Sequence, residues 1–131
     1  MPIILDACAI IAFLRDEDGA ENVERALLND ECMVHALNLC EVYKDCLSRG
    51  EKAATADQMV DDLTSAGLIV REDMDEEIWK YAARIKAQLR RISYADCFAL
   101  ALCCRVNGVL YTSDHRDFDP LQSKYSIHFI R

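Results

Sequence analysis

A chain of 131 residues, 52% hydrophobic and 29% charged, has the composition of one globular domain with no disordered tract. Its 15 Lys and Arg against 23 Asp and Glu leave a formal charge of −8, which excludes binding nucleic acid by bulk charge; such a ligand needs a local basic patch or a metal ion. No apolar run approaches the ~20 residues of a membrane span, and the N-terminus, without a basic leader and with Asp6 inside its apolar stretch, is not expected to act as a signal peptide.

The first predicted element is a strand over residues 3–6, an apolar run ended by Asp6, and a short helix over 7–14 follows at once. Residues 19–28 carry Val23, Ala26 and Leu27 at helical spacing. A strand over 32–36 leads to a helix over 38–49, closed by Gly50, and to a second over 52–66, closed by Gly67. The strand 68–71 precedes the longest helix, 75–91. The next helix, 93–107, is closed by Gly108, and strands over 109–112 and 126–130 follow. Strands alternating with helical patterns imply βαβ units. The expectation is a single α/β domain over 1–131, with a central, mostly parallel sheet of four or five strands flanked by helices.

The seven cysteines are odd in number, form no Cys-x-x-Cys and include the adjacent pair Cys103-Cys104 inside a helical pattern. They read as reduced, small hydrophobes, which implies a cytoplasmic protein.

Four acids stand where a carboxylate is costly or oddly placed. Asp6 separates two apolar runs, and Asp114 follows Val109-Leu110-Tyr111-Thr112 at a comparable strand end. Glu41 and Asp96 fall in the first turns of apolar helices. Ligands of open parallel α/β sheets bind outside the carboxyl ends of the strands. Carboxylates gathered there repel one another unless a cation neutralises them, which points to a divalent-metal site. Each acid also has a structural alternative. Asn38-x-x-Glu41 and Ser93-x-x-Asp96 have the form of capping boxes. Asp6 is placed to cap the helix starting at Ala7, and Asp114 reads as a turn residue before a short helix. The dipole of a first helical turn favours negative charge, so the helix-borne acids are expected to stay ionised. Asp117 and Asp119 are turn acids before Pro120, and Asp117 is a possible additional member of the set.

The stretches Ile4-Leu5-Asp6-Ala7-Cys8-Ala9-Ile10-Ile11, Asn38-Leu39-Cys40-Glu41-Val42-Tyr43, Ser93-Tyr94-Ala95-Asp96-Cys97-Phe98-Ala99-Leu100-Ala101 and Leu110-Tyr111-Thr112-Ser113-Asp114 occur in that order over nearly the whole chain. Together they resemble the PIN-domain ribonucleases, and most closely the VapC-like toxins of type II toxin–antitoxin pairs. The resemblance implies a PIN-like fold and Mg2+- or Mn2+-dependent hydrolysis of RNA, with Asp6, Glu41, Asp96 and Asp114 as the catalytic, metal-holding residues. It also implies a homodimer and a small cognate antitoxin whose basic or aromatic tail enters the acidic pocket. Two departures stand out. Ala7 lies where relatives often have Ser or Thr, and Asp117 lies three residues after Asp114, where many relatives have a second acid two residues on. Two carboxylates on the ion directly and two through water suit magnesium. A metal-bound water would then attack phosphorus in line, leaving a 5′-phosphate and a 3′-hydroxyl.

An acidic protein must hold RNA locally. Residues 79–91 carry Lys80, Arg84, Lys86, Arg90 and Arg91 with no acid, preceded by Glu72, Asp73, Asp75, Glu76 and Glu77. Acids at a helix start and bases at its end also match the dipole, so a plain solvated helix is the alternative. Read functionally, Arg84, Arg90 and Arg91, with Thr112, Arg116 and Arg15, lead phosphates toward the acids. Tyr94 either stacks on a base or packs between helices. His35 and His128 read as core or edge strand residues, and His115, beside Asp114, as able to touch substrate. Ala56, Met59, Val60 and Leu63 form a stripe that is core or interface. Two rivals are set against the nuclease. One is a catalytically inert PIN-like protein-binding module, favoured by Ala7; the other is a phosphatase with an aspartyl nucleophile, disfavoured because Cys8 stands where its second acid belongs.

Overall fold

Five short strands form one sheet: β1 (Ile3–Leu5), β2 (Cys32–His35), β3 (Ile69–Arg71), β4 (Val109–Thr112) and β5 (Ile127–Phe129), in the order β3-β2-β1-β4-β5. The computed structural model describes residues 1–131. All four pairings are parallel, so the sheet is wholly rather than mostly parallel. Parallel neighbours need crossover connections, and helices supply them. Helices α1 (Ala7–Leu14) and α2 (Ala20–Asn29) join β1 to β2, and α3 (Ala36–Ser48) and α4 (Ala53–Ser65) join β2 to β3. Helices α5 (Glu76–Gln88) and α6 (Tyr94–Val106) return to β4, and α7 (His115–Phe118) with a 3₁₀ turn (Asp119–Leu121) leads to β5.

The period-2 alternation of β1 sorts its side chains between two cores. Ile3 and Leu5 pack with α1, α2 and the buried faces of α3 and α4, whereas Ile4 packs with α5 and α6. All three are buried, as the near-continuous apolar run of a central parallel strand requires. Helix α6 is the most deeply packed, with Ala95 and every residue from Cys97 to Cys103 buried. In the stripe on α4, Ala56 and Leu63 are buried, so that face belongs mainly to the core.

Several boundaries differ from the sequence expectation for local reasons. Helix α3 starts at Ala36, not 38, because His35 is the N-cap: its Nδ1 accepts from the Leu37 N–H at 3.1 Å. Asn38 is therefore a buried helical residue rather than a cap. Helix α5 stops at Gln88, short of Arg91, where the Lys86 ammonium donates to the carbonyls of Arg90 (3.0 Å) and Ile92 and ties down the turn. At the end of α6 the left-handed position is held by Asn107 (φ 58°), not by Gly108. Gly108 has a different constraint, since a Cβ there would lie 2.7 Å from the Pro2 carbonyl oxygen.

The connection from β1 leads toward β2, while that from β4 leads to β5 on the opposite edge. Strand order reverses between these two neighbours, and such a reversal opens a crevice at their carboxyl ends. Leu5 pairs with Tyr111, which brings Asp6 beside Thr112.

Candidate metal centre

Three of the four acids take part in capping a helix start. Asp6 caps α1, its Oδ1 accepting from the Ala9 N–H at 2.8 Å. Asp114 caps α7, its Oδ1 accepting from the Asp117 N–H at 3.0 Å. Asp96 completes a capping box: its own N–H donates to Ser93 Oγ at 3.1 Å and its Oδ2 accepts from the Ser93 N–H at 3.4 Å. Capping leaves each carboxylate available for a second role, since each bond fixes one carboxylate oxygen and leaves the other outside backbone hydrogen bonding. Glu41 lies on the second turn of α3, a turn later than expected, as a consequence of the His35 cap.

Asp6, Glu41, Asp96 and Asp114 line a single open cleft of about 720 Å³. Asp117 and Asp45 join the lining, and Lys44, Lys86 and Arg91 are its only cations. Asp117 therefore shares the cleft with the four acids, held 3.6 Å from the Arg91 guanidinium. Asp119 does not; it pairs with His115 at 2.8 Å.

Burial governs the electrostatics. Asp6, 2% exposed, has its pKa pushed up to about 7, chiefly by burial, against hydrogen bonds from Thr112 and the Ala9 N–H and reinforced by Asp96 and Asp114. Asp96 is pushed up to about 6, again by burial first, with Ser93 opposing and Glu41 and Asp117 reinforcing. Glu41 is also raised by burial, with Lys44 opposing. Burial thus raises both helix-borne acids above the usual carboxylate range, and Asp96, at about 6, is still mostly ionised at pH 7. The Cys8 thiol is pushed up to about 12, first by loss of water and then by Asp6, Asp114, Asp96 and Glu41, and so lies within electrostatic reach of all four.

The donor set is hard oxygen, which suits Mg2+ or Mn2+. No three His, Cys, Asp or Glu side chains form a ready-made cage. An ion held here would have to keep much of its water, as Mg2+ does. Asp6 and Asp96, with Glu41 and Asp114, could hold such an ion.

The expected basic strip disperses in three dimensions. Only Lys86 and Arg91 reach the cleft. Arg84 lies over the Tyr81 ring in a separate hollow, Arg90 is exposed on the turn after α5, and Arg116 offers its carbonyl oxygen to Arg91 at 2.8 Å. Arg15 pairs with Asp45 at 2.8 Å. Thr112 is fully buried and cannot touch substrate; its hydroxyl accepts from the Asp114 N–H at 3.0 Å and hydrogen-bonds Asp6. His115 stacks on Phe129, ring centroids 4.0 Å apart. Tyr94 is not packed between helices: it is 60% exposed, with the Lys86 ammonium 5.3 Å from its ring. Lys44 and Asp45 escaped the sequence reading, although Lys44 lies three residues after Glu41, close to the same helix face.

The sequence matches no curated protein. The family model of the PIN domain matches residues 3–122. The chain belongs to the PIN domain family. The fold agrees over nearly the full length with solved structures. VapBC-1 from nontypeable Haemophilus influenzae is 19% identical, with a TM-score of 0.76 over 99% of this chain and 98% of that one. DNA-bound VapBC from Salmonella typhimurium is 16% identical, with a TM-score of 0.75 over 100% and 99%. PAE2754 from Pyrobaculum aerophilum is 18% identical, with a TM-score of 0.67 over 99% and 90%. No helix of this PIN domain is long and apolar enough to cross a membrane.

Proposed function

We propose that the chain is a metal-dependent ribonuclease, the toxin of a toxin–antitoxin pair, hydrolysing RNA phosphodiester bonds at a four-carboxylate Mg2+ or Mn2+ site. The observation that carries the reading is the convergence of Asp6, Glu41, Asp96 and Asp114 around Cys8, where strand order reverses. A bound ion would supply Lewis acidity at a phosphate oxygen and a water of lowered pKa. Asp6 and Asp96, each with one oxygen free of its cap bond, would hold it directly, and Glu41 and Asp114 through water. Arg91 presents a planar donor fork, and Lys44 and Lys86 point charges, for the RNA phosphates. The exposed ring of Tyr94 offers a face on which a base can stack.

The toxin assignment is supported by full-length likeness to the VapBC structures of Haemophilus and Salmonella. On that reading this PIN domain acts in the cytoplasm as a homodimer and is restrained by a small cognate antitoxin. Incubation of the purified protein with total RNA and Mn2+, followed by mapping of the cut ends, tests the activity. New 5′-phosphate and 3′-hydroxyl ends are expected from the wild type and none from Asp6→Asn or Asp96→Asn. Undiminished cleavage by either variant would remove that residue from the chemistry.

A second reading, a catalytically inert PIN domain that binds protein, is favoured by the lack of a ready-made three-ligand cage and by Ala7. Titration calorimetry separates the two, since the absence of any heat with millimolar Mn2+ selects the inert module.

A further inference from the structure

We propose that Asn38 is a positioning residue that sets the spacing between Glu41 and Asp96 by tying α3 to α6, an inference that rests on the metal reading above. Asn38 is fully buried, and its Nδ2 donates to the Ala95 carbonyl oxygen at 3.0 Å. This is the one side-chain hydrogen bond joining the two helices. Each end of it adjoins a carboxylate of the cleft. Ala95 immediately precedes Asp96, and Asn38 precedes Glu41 by three residues, nearly one helical turn.

The orientation of the amide is dictated by chemistry. A carbonyl oxygen only accepts, so the NH2 group of Asn38 must face Ala95 and its Oδ1 must face away. That Oδ1 is the only buried side-chain polar atom in the chain without a hydrogen-bond partner. A leucine of similar size would strand no polar atom and would pack as an ordinary core residue, so stability does not account for an amide here. What an amide supplies and a leucine cannot is direction. Apolar helix faces tolerate small sliding and rotation, whereas a buried, directional bond to one carbonyl fixes register. The His35 cap makes this possible, because it satisfies the helix start and leaves Asn38 free to reach across.

Groups that orient metal ligands from behind typically cost 10–100-fold in metal affinity when removed. Asn38→Leu should accordingly weaken Mn2+ binding by about tenfold or more in calorimetry, while the melting temperature of the metal-free protein stays level or rises. Val42→Ala, a core truncation one turn further along α3, should do the reverse, lowering the melting temperature and sparing Mn2+ affinity. Asn38→Ser, too short to reach Ala95, should repeat the loss of affinity. In the wild type, the side-chain amide protons of Asn38 should exchange slowly with solvent by NMR. Wild-type Mn2+ affinity in either Asn38 variant, or rapid exchange of those protons, overturns the positioning role. A wild-type protein that binds no Mn2+ overturns the metal reading itself and this role with it.

Discussion

Asp6 sits where the chain leaves the central strand and gives up almost all its water. Its pKa of about 7, and that of about 6 for Asp96, lie above the ~3.9 of an unfolded aspartate. Between about pH 4 and 7 the native state therefore holds more protons than the unfolded one, and stability falls as pH rises through that window. Metal-free protein should accordingly melt at a lower temperature at pH 7 than at pH 5, by differential scanning calorimetry. Asp6→Asn keeps an oxygen to accept from the Ala9 N–H and carries no charge. It should flatten the pH slope and raise the neutral-pH melting temperature, and an unchanged slope would contradict the burial of Asp6. A metal ion competes with the same protons. Mn2+ affinity of the wild type should drop as pH is lowered from 7 to 5, with proton release on binding near pH 6 detectable by calorimetry in buffers of different ionisation enthalpy.

Helices in this domain are placed by their ends. Asp6, Asp114 and Ser93 with Asp96 start three of them, and the chain collects anionic caps where strand ends and helix starts meet. The entry to α2 follows a different rule. Gly19 adopts φ 92°, and a Cβ there would lie 2.5 Å from the Ile130 carbonyl oxygen. Gly19→Ala therefore meets both left-handed strain and a backbone collision. It should destabilise the fold by more than about 1 kcal/mol in urea unfolding, with loosened docking of the segment after β5. A neutral result would show that the turn can shift away from Ile130. By contrast, the Arg71–Asp73–Arg105–Asp75 cluster, with contacts of 2.6–2.9 Å, pins the loop before α5 to the C-terminal end of α6. It is partly exposed, so its contribution is that of a screened surface network rather than a buried pair.

For the whole molecule, the proposed ribonuclease function requires a charge of −8 to coexist with a polyanionic substrate. Only Lys44, Lys86 and Arg91 face the cleft, against six lining carboxylates, so RNA affinity cannot come from a broad basic surface. Three phosphate contacts at most imply a shallow salt dependence. The slope of log K against log[salt] for single-stranded RNA should lie near about −2 or smaller in magnitude. Arg91→Ala should reduce it by nearly one contact and leave Mn2+ affinity intact, as fluorescence anisotropy on a short RNA would report. A much steeper slope would mean that residues outside the cleft, on this chain or on a partner, carry the binding.

The sequence by itself determined the α/β class, the near-complete element order and the four acids that share one cleft, because these leave local marks. Apolar strands, helical periodicity, glycine at the ends of α3 and α4, and carboxylates at strand ends each leave a mark within a few residues. Tertiary structure alone decided which cations reach the cleft, since Arg84 and Arg91 lie seven residues apart yet face different hollows, while Lys44 arrives on another helix. It also moved the cap of α3 to His35, placed Thr112 behind the acids rather than before a substrate, and turned Asn38 inward to Ala95. The physical reason is the same in each case. Desolvation and cross-chain hydrogen bonds depend on what lies opposite a residue in space, and no spacing within a parallel sheet of crossover connections encodes that locally.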